Sequence, residues 1–197
     1  KSLLKGATLQ FIENIILEHL LQGREDENSY VAGDAPVHQS NYAPLTYAQQ
    51  GVYFECMKNP LSTVYNVPFS LEMPENTDVD KIVAALEHLA DVHPQLKVHF
   101  ETREDSVVQV CDPGQAVEVP VQEMDMDGLE LEKEQFVRPF HLGKGPLYRF
   151  KIVKVPKKTV LLLDIHHLVA DGGSVDLFIQ QLCSLIEGKE IGKEACG

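Results

Sequence analysis

The chain has 197 residues, of which 44% are hydrophobic and 24% charged, the composition of an ordinary soluble globular protein. Its net charge of −13 argues against nucleic-acid binding and against adsorption to anionic lipid, since both require a basic surface. No apolar run approaches the ~20 residues of a membrane-spanning helix, so we expect neither nucleic acid nor a membrane among the partners.

The four cysteines are far apart and include no Cys-x-x-Cys pair: Cys56, Cys111, Cys183 and Cys196. This spacing indicates neither a zinc site nor a disulfide framework. Reduced thiols favour a cytoplasmic location.

The first part of the chain separates from the rest by composition. Residues 1–22 include a run of helical apolar spacing, from Leu9 to Leu21, with Thr8 as its cap. Residues 23–43 are rich in Gly, Asp, Asn, Ser and Pro, which is typical of a linker. Residues 44–197 carry the pattern of a globular unit.

Helices and strands are interspersed in this unit, with hairpins among them, which favours an α+β or mixed-sheet α/β layer fold. The predicted helices cover residues 46–57 with Thr46 as cap, about 78–92, 124–137, and from Ser174 as cap to about 186. The predicted strands cover residues 64–73, 96–100 paired with 106–110, 117–121, and 147–155 paired with 159–165.

The most informative pattern spans residues 164–174, Asp-Ile-His-His-Leu-Val-Ala-Asp-Gly-Gly-Ser. A buried strand here ends at two adjacent histidines, which point to opposite faces, so one can face a cleft while the other serves the structure. Asp171 can hold the turn through an ion pair or backbone hydrogen bonds. Gly172 and Gly173 permit positive φ, and the following helix aims free N–H groups at the same space.

Other interpretations of this pattern remain open or weaker. A pair of hydrogen-bonded structural histidines is the general alternative. Adjacent histidines cannot easily chelate one metal ion, and no local carboxylates support a metal site. Ser174 is disfavoured as a phosphopantetheine attachment site, because the carrier-protein pattern Gly-Gly-x-Ser has one residue more.

The spacing His166-His167-x-x-x-Asp171-Gly172 resembles the active-site motif of the condensation domains of nonribosomal peptide synthetases, in the chloramphenicol acetyltransferase-like superfamily. Residues 45–54, 65–68 and 139–149 resemble further stretches of that family, in the same order. The resemblance implies one lobe of that fold, with helices packed on a mostly antiparallel sheet.

The resemblance also implies site roles. His167 would be catalytic and face the tunnel, while His166 would point into the lobe. Asp171 would hold the loop, and Gly172 would bring a backbone N–H near the oxyanion. The reaction would be amide bond formation between thioesters on 4'-phosphopantetheine arms of upstream and downstream peptidyl carrier domains, with no directly bound cofactor.

One stretch departs from the family. Residues 92–98 correspond to the family's Arg-His-Glu-x-Leu-Arg-Thr, and both arginines are missing. A family arginine typically pairs with the motif aspartate, so the candidate partners of Asp171 here are Lys97 and Arg149.

Domain organisation follows from the same resemblance. Residues 1–22 look like the C-terminal helix of an upstream carrier domain, 23–43 like a linker, and 44–197 like an N-terminal lobe whose C-terminal lobe is absent. We expect the isolated lobe to be inactive and to expose an apolar face through which it dimerises. The alternatives are a non-catalytic carrier-docking or scaffold lobe and the related epimerisation domain.

Overall fold

The computed structural model describes residues 42–104, 106–189 and 191, so the predictions for residues 1–22 and for most of the linker lie outside the described residues. Four α-helices and seven strands alternate along this part of the chain. Their order is β1 (Tyr42–Pro44), α1 (Tyr47–Lys58), β2 (Asn66–Pro74), α2 (Val79–Val92), a 3-10 turn (Pro94–Lys97), β3 (Val98–Arg103), β4 (Ser106–Cys111), β5 (Val121–Glu123), α3 (Met126–Phe136), β6 (Tyr148–Val155), β7 (Lys158–His166) and α4 (Gly172–Ile186).

The smaller sheet has three antiparallel strands in the order β1-β4-β3. Strands β3 and β4 form the predicted hairpin. Strand β1 begins at Tyr42, which pairs with Val110, so this sheet includes two residues that precede the boundary predicted at residue 44.

The larger sheet has the order β2-β7-β6-β5 and carries the histidine pair. Strands β6 and β7 form the second predicted hairpin, closed by a two-residue turn at Pro156 and Lys157. Strand β2 pairs antiparallel with β7 over nine residues, whereas β5 pairs parallel with β6. The sheet is therefore mostly antiparallel, as expected.

Both faces of strand β7 are buried, which explains its uninterrupted apolar run. One face packs into the main core and includes Leu161, Leu163 and Ile165. The opposite face, with Val160 and Leu162, belongs to a smaller cluster closed by helix α3. A strand covered on both sides lacks the alternation of apolar and polar residues that a half-exposed strand shows.

Helix α1 starts where its sequence predicts. The side chain of Thr46 accepts a hydrogen bond from the backbone N–H of Gln49, and the side chain of Gln49 accepts one from the backbone N–H of Thr46, which together form a capping box. Helix α2 is also capped by a side-chain oxygen, since the carboxylate of Asp78 accepts from the N–H of Asp80.

The strand predicted at residues 117–121 was wrong in its position. The paired segment is β5, Val121–Glu123, which lies beside Ile152 to Lys154 of β6. Pro120 precedes it and has no N–H to donate, although its carbonyl accepts from Ile152 N at 2.8 Å. The pairing therefore begins one residue after the proline.

No helix within the described ranges has both the length and the apolar character that crossing a membrane requires.

Candidate functional site

The histidine pair lies where strand β7 ends. His166 is 4% exposed, while the side chain of His167 is exposed to solvent. Both backbone N–H groups are held by neighbouring segments: His166 N donates to the carbonyl of Leu147 and His167 N to that of Tyr65, each at 2.8 Å. The strand end thus presents one imidazole outward and keeps the other inside.

Inside the lobe, the ring of His166 has a defined orientation. Its Nδ1 accepts a hydrogen bond from Leu168 N at 3.1 Å. Its Nε2 lies 3.7 Å from Cys56 Sγ, and the ring meets that of Phe140 edge-on at 5.8 Å between centroids. With Nδ1 as acceptor, the proton of the neutral ring is on Nε2 and faces the sulfur.

Burial determines the protonation of His166 and Cys56. The pKa of His166 falls to about 4, first through burial and then through the charges of His167 and Arg149. The pKa of the Cys56 thiol is raised by burial and by Glu55. At neutral pH both groups are therefore uncharged, and His166 acts as a hydrogen-bonding support.

Asp171 is the N-cap of helix α4, so the prediction that Ser174 caps this helix was wrong. The Oδ1 of Asp171 accepts from Ser174 N at 2.8 Å and from Ser174 Oγ at 2.7 Å. These bonds, together with the nearby His167, lower the pKa of Asp171. Asp171 therefore holds the turn through local hydrogen bonds.

Neither proposed cationic partner of Asp171 reaches it. Lys97 Nζ pairs with Asp91 Oδ1, and Arg149 Nη1 lies 2.8 Å from Asp164 Oδ2. The expectation of a Lys97 or Arg149 bridge to Asp171 is corrected accordingly, because both cations are engaged elsewhere.

Gly172 and Gly173 form the first turn of helix α4 and do not use the positive φ that we expected of them. Among the described residues, the glycines with positive φ are Gly145 and Gly188. A Cβ added at Gly172 would meet no other atom within 4 Å. The start of the helix, beside His167, thus faces open space.

Sequence reasoning missed a buried polar group behind the pair. Asp164 is fully buried and receives Asn66 Nδ2 and Arg149 Nη1, each at 2.8 Å. Burial raises the pKa of Asp164, opposed by Asn66 and Arg149. Burial also lowers the pKa of Arg149. An aspartate inside an apolar strand, two residues before His166 and so on its face, was the signal that could have identified this group.

Two cavities lie near this region. A groove of about 600 Å³ runs along the start of β6, where Tyr148 and Arg149 line it, but the histidine pair does not. A smaller cavity of about 110 Å³ lies behind the loop and is lined by His93, Ser174 and Phe178, among others. Within residues 42–104, 106–189 and 191, no three His, Cys, Asp or Glu side chains are placed to hold a metal ion.

Comparison with known proteins assigns the family. The sequence model described as "Condensation domain" matches residues 39–195. The chain belongs to the condensation-domain family. The resemblance of the histidine motif is thereby confirmed.

The curated relatives are large synthetases. The chain is 33% identical over 158 residues to a plipastatin synthase of Bacillus subtilis (strain 168), which covers 79% of this chain and 6% of the relative. It is 30% identical over 159 residues to bacitracin synthase 1 of Bacillus licheniformis, covering 80% of this chain and 3% of the relative. The condensation-domain chain thus spans a small part of each relative.

Solved structures confirm the fold class. The starter condensation domain of rhizomide synthetase RzmA superposes with a TM-score of 0.69 at 22% identity, over 80% of this chain and 43% of that chain. Tallysomycin biosynthesis protein TlmII gives a TM-score of 0.65 at 19% identity, over 75% and 39%. The condensation-domain fold is therefore present, over less than half of each of these structures.

Proposed function

We propose that this chain is the N-terminal lobe of a condensation domain that forms amide bonds between carrier-bound substrates, with His167 as its catalytic residue. The observation that carries the proposal is the exposure of His167 at the end of a buried strand, next to a helix start that faces open space. A scaffold lobe would not require an outward imidazole at this position.

In this reaction the α-amine of the acceptor attacks the carbonyl carbon of the donor thioester. A C–N bond forms, the C–S bond breaks, and the amine's proton passes by way of His167 to the departing thiolate. His167 orients the amine or accepts its proton, and the N–H of Gly172 faces the developing oxyanion. The thioesters enter as substrates on the 4'-phosphopantetheine arms of upstream and downstream carriers.

The domain assignment belongs to the same proposal. The chain matches 43% of the rhizomide condensation domain, which supports a second lobe as the opposite wall of the cleft. Residues 1–22 are then the last helix of an upstream carrier domain and residues 23–43 the linker. On this basis we expect the 197-residue chain alone to form no product from loaded carriers.

The test is His167→Ala in the synthetase that contains this chain, with both carriers loaded and the products separated by chromatography. We expect dipeptide formation to fall about 100-fold or more, the usual range for loss of an acid–base group. His88→Ala, at an exposed position on helix α2, is the matched control and should leave the yield unchanged.

Two results would count against the proposal. Near-normal dipeptide yield from His167→Ala would remove the catalytic assignment. Release of the inverted amino acid without dipeptide would indicate epimerisation as the reaction.

A further inference from the structure

The residue after His167 is held by side chains at both of its backbone polar groups. Leu168 N donates to His166 Nδ1 at 3.1 Å, and the Leu168 carbonyl accepts from Gln49 Nε2 at 3.1 Å. Leu168 is itself buried. Together with the bond from His167 N to the Tyr65 carbonyl, these contacts fix the peptide planes on both sides of His167.

Gln49 reaches this loop from a different element, helix α1, where it is the third residue. Its Oε1 accepts from Thr46 N at 3.0 Å, which completes the capping box. The two ends of one amide therefore do different work: the oxygen closes the helix start, and the nitrogen binds the loop. Gln109 Oε1, at 3.5 Å, is the second contact of that nitrogen.

We propose that Gln49 is a positioning residue for His167, acting through the Leu168 carbonyl; this inference rests on the function proposed above. Without the Gln49 donor, a buried carbonyl loses its hydrogen bond, and the peptide that sets the direction of the imidazole is free to rotate. Misplacement of a reacting group by about 1 Å reduces turnover by as much as about 100-fold.

The variant Gln49→Glu separates the two roles of this side chain. A glutamate at this position still accepts from Thr46 N, since Ser/Thr-x-x-Glu is the common form of the capping box. It has no N–H for the Leu168 carbonyl. In the synthetase that contains this chain, we expect kcat to fall about 10- to 100-fold, with the KM for loaded carriers changed less than about twofold.

Gln50→Glu is the matched control, because it adds the same charge one residue away. The Nε2 of Gln50 donates to the Leu45 carbonyl at 3.2 Å, within its own helix region. Gln50→Glu should keep kcat within about twofold of the wild type. In NMR spectra of the 197-residue chain, the Cε1–H resonance of His167 should shift or broaden in Gln49→Glu and stay in place in Gln50→Glu.

Gln49→Lys is the reciprocal variant. Its ammonium group can donate to the Leu168 carbonyl, but it cannot accept from Thr46 N. We expect a lower thermal midpoint with kcat higher than that of Gln49→Glu.

Two outcomes overturn the inference while leaving the proposed function intact. One is an inactive His167→Ala enzyme alongside Gln49→Glu with wild-type kcat. The other is an equal loss of kcat in Gln49→Lys and Gln49→Glu. An active His167→Ala enzyme overturns the proposed function, and this inference fails with it.

Discussion

At the scale of single residues, the buried ion pair between Arg149 and Asp164 has the largest energetic consequence. The guanidinium also donates to the carbonyl oxygens of Arg138 and Pro139, and it lies 3.7 Å above the ring of Phe140. Asn66 completes the shell of the carboxylate. Removal of one partner would leave the other charge buried without compensation.

We therefore predict that Arg149→Met lowers the free energy of unfolding by about 3–5 kcal/mol. Arg103→Met is the matched control, since Arg103 pairs with Glu101 at the surface and such pairs contribute about 0–1 kcal/mol. Urea titration followed by circular dichroism measures both. Equal costs for the two variants would contradict the prediction.

His166 makes stability depend on pH in a defined direction. Its pKa is about 4 in the folded chain against 6.5 for an ordinary histidine, so between these values the unfolded state binds more protons. The stabilisation is present above pH 6.5 and is lost as the pH falls towards 4. The full difference corresponds to roughly 3 kcal/mol.

We predict that the stability difference between the wild type and His166→Gln shrinks as the pH falls from 6.5 to 4. The difference is the proper measure, because the raised pKa of Asp164 acts in the opposite direction in both proteins. Thermal midpoints across this range test it. A constant difference at every pH would show that His166 does not titrate below its ordinary range.

The placement of the two histidines followed from strand alternation, whereas the partner of Arg149 did not follow from the motif. The two-residue turn at Pro156 and Lys157 pairs Val155 with Lys158, and counting back along both strands places Arg149 opposite Asp164. This register was available from the sequence. The cap formed by Asp171 was harder to predict, because Ser174 is also a common cap residue.

At the scale of elements, the apolar pattern was informative where a helix has one buried face. In α2 the positions Ile82, Leu86 and Leu89 lie on that face and are fully buried. The position of β5 could not be obtained in this way, because its three exposed residues show no burial pattern and are defined by pairing with β6.

We predict that Leu86→Ala lowers the free energy of unfolding by about 2–5 kcal/mol, since the side chain is entirely enclosed by the core. Leu131→Ala makes the same truncation on helix α3, where the side chain is 55% exposed, and should change stability by less than about 0.5 kcal/mol. Guanidinium titrations of both variants provide the comparison. A cost for Leu86→Ala as small as that for Leu131→Ala would be inconsistent with the packing of α2.

At the scale of the whole molecule, helix α1 and the turn after it carry an uncovered apolar surface. Its members are large hydrophobic residues with at least half of their area exposed: Tyr47, Phe54, Met57, Leu61 and Val64. A patch of this kind favours association with another surface. The net charge of −13 opposes contact between two copies.

We predict that the 197-residue chain self-associates through this surface and does so more strongly as salt screens the repulsion, for example from about 0.1 M to about 0.5 M. Sedimentation velocity over a concentration series measures the association. Phe54→Ser should weaken it, while Leu131→Ser, on helix α3, should not. A monomeric mass at every concentration and salt level would contradict the prediction.

The small cluster beneath helix α3 makes that helix separable from the rest of the lobe. Its six buried members, Leu129, Phe136, Val153, Val155, Val160 and Leu162, form a group apart from the main core. A group of this size can open while the main core stays closed, so α3 acts as its own cooperative unit. Amide hydrogens of Met126–Phe136 then exchange with solvent through local opening, and each opening briefly uncovers the back of the strand that ends at the histidine pair.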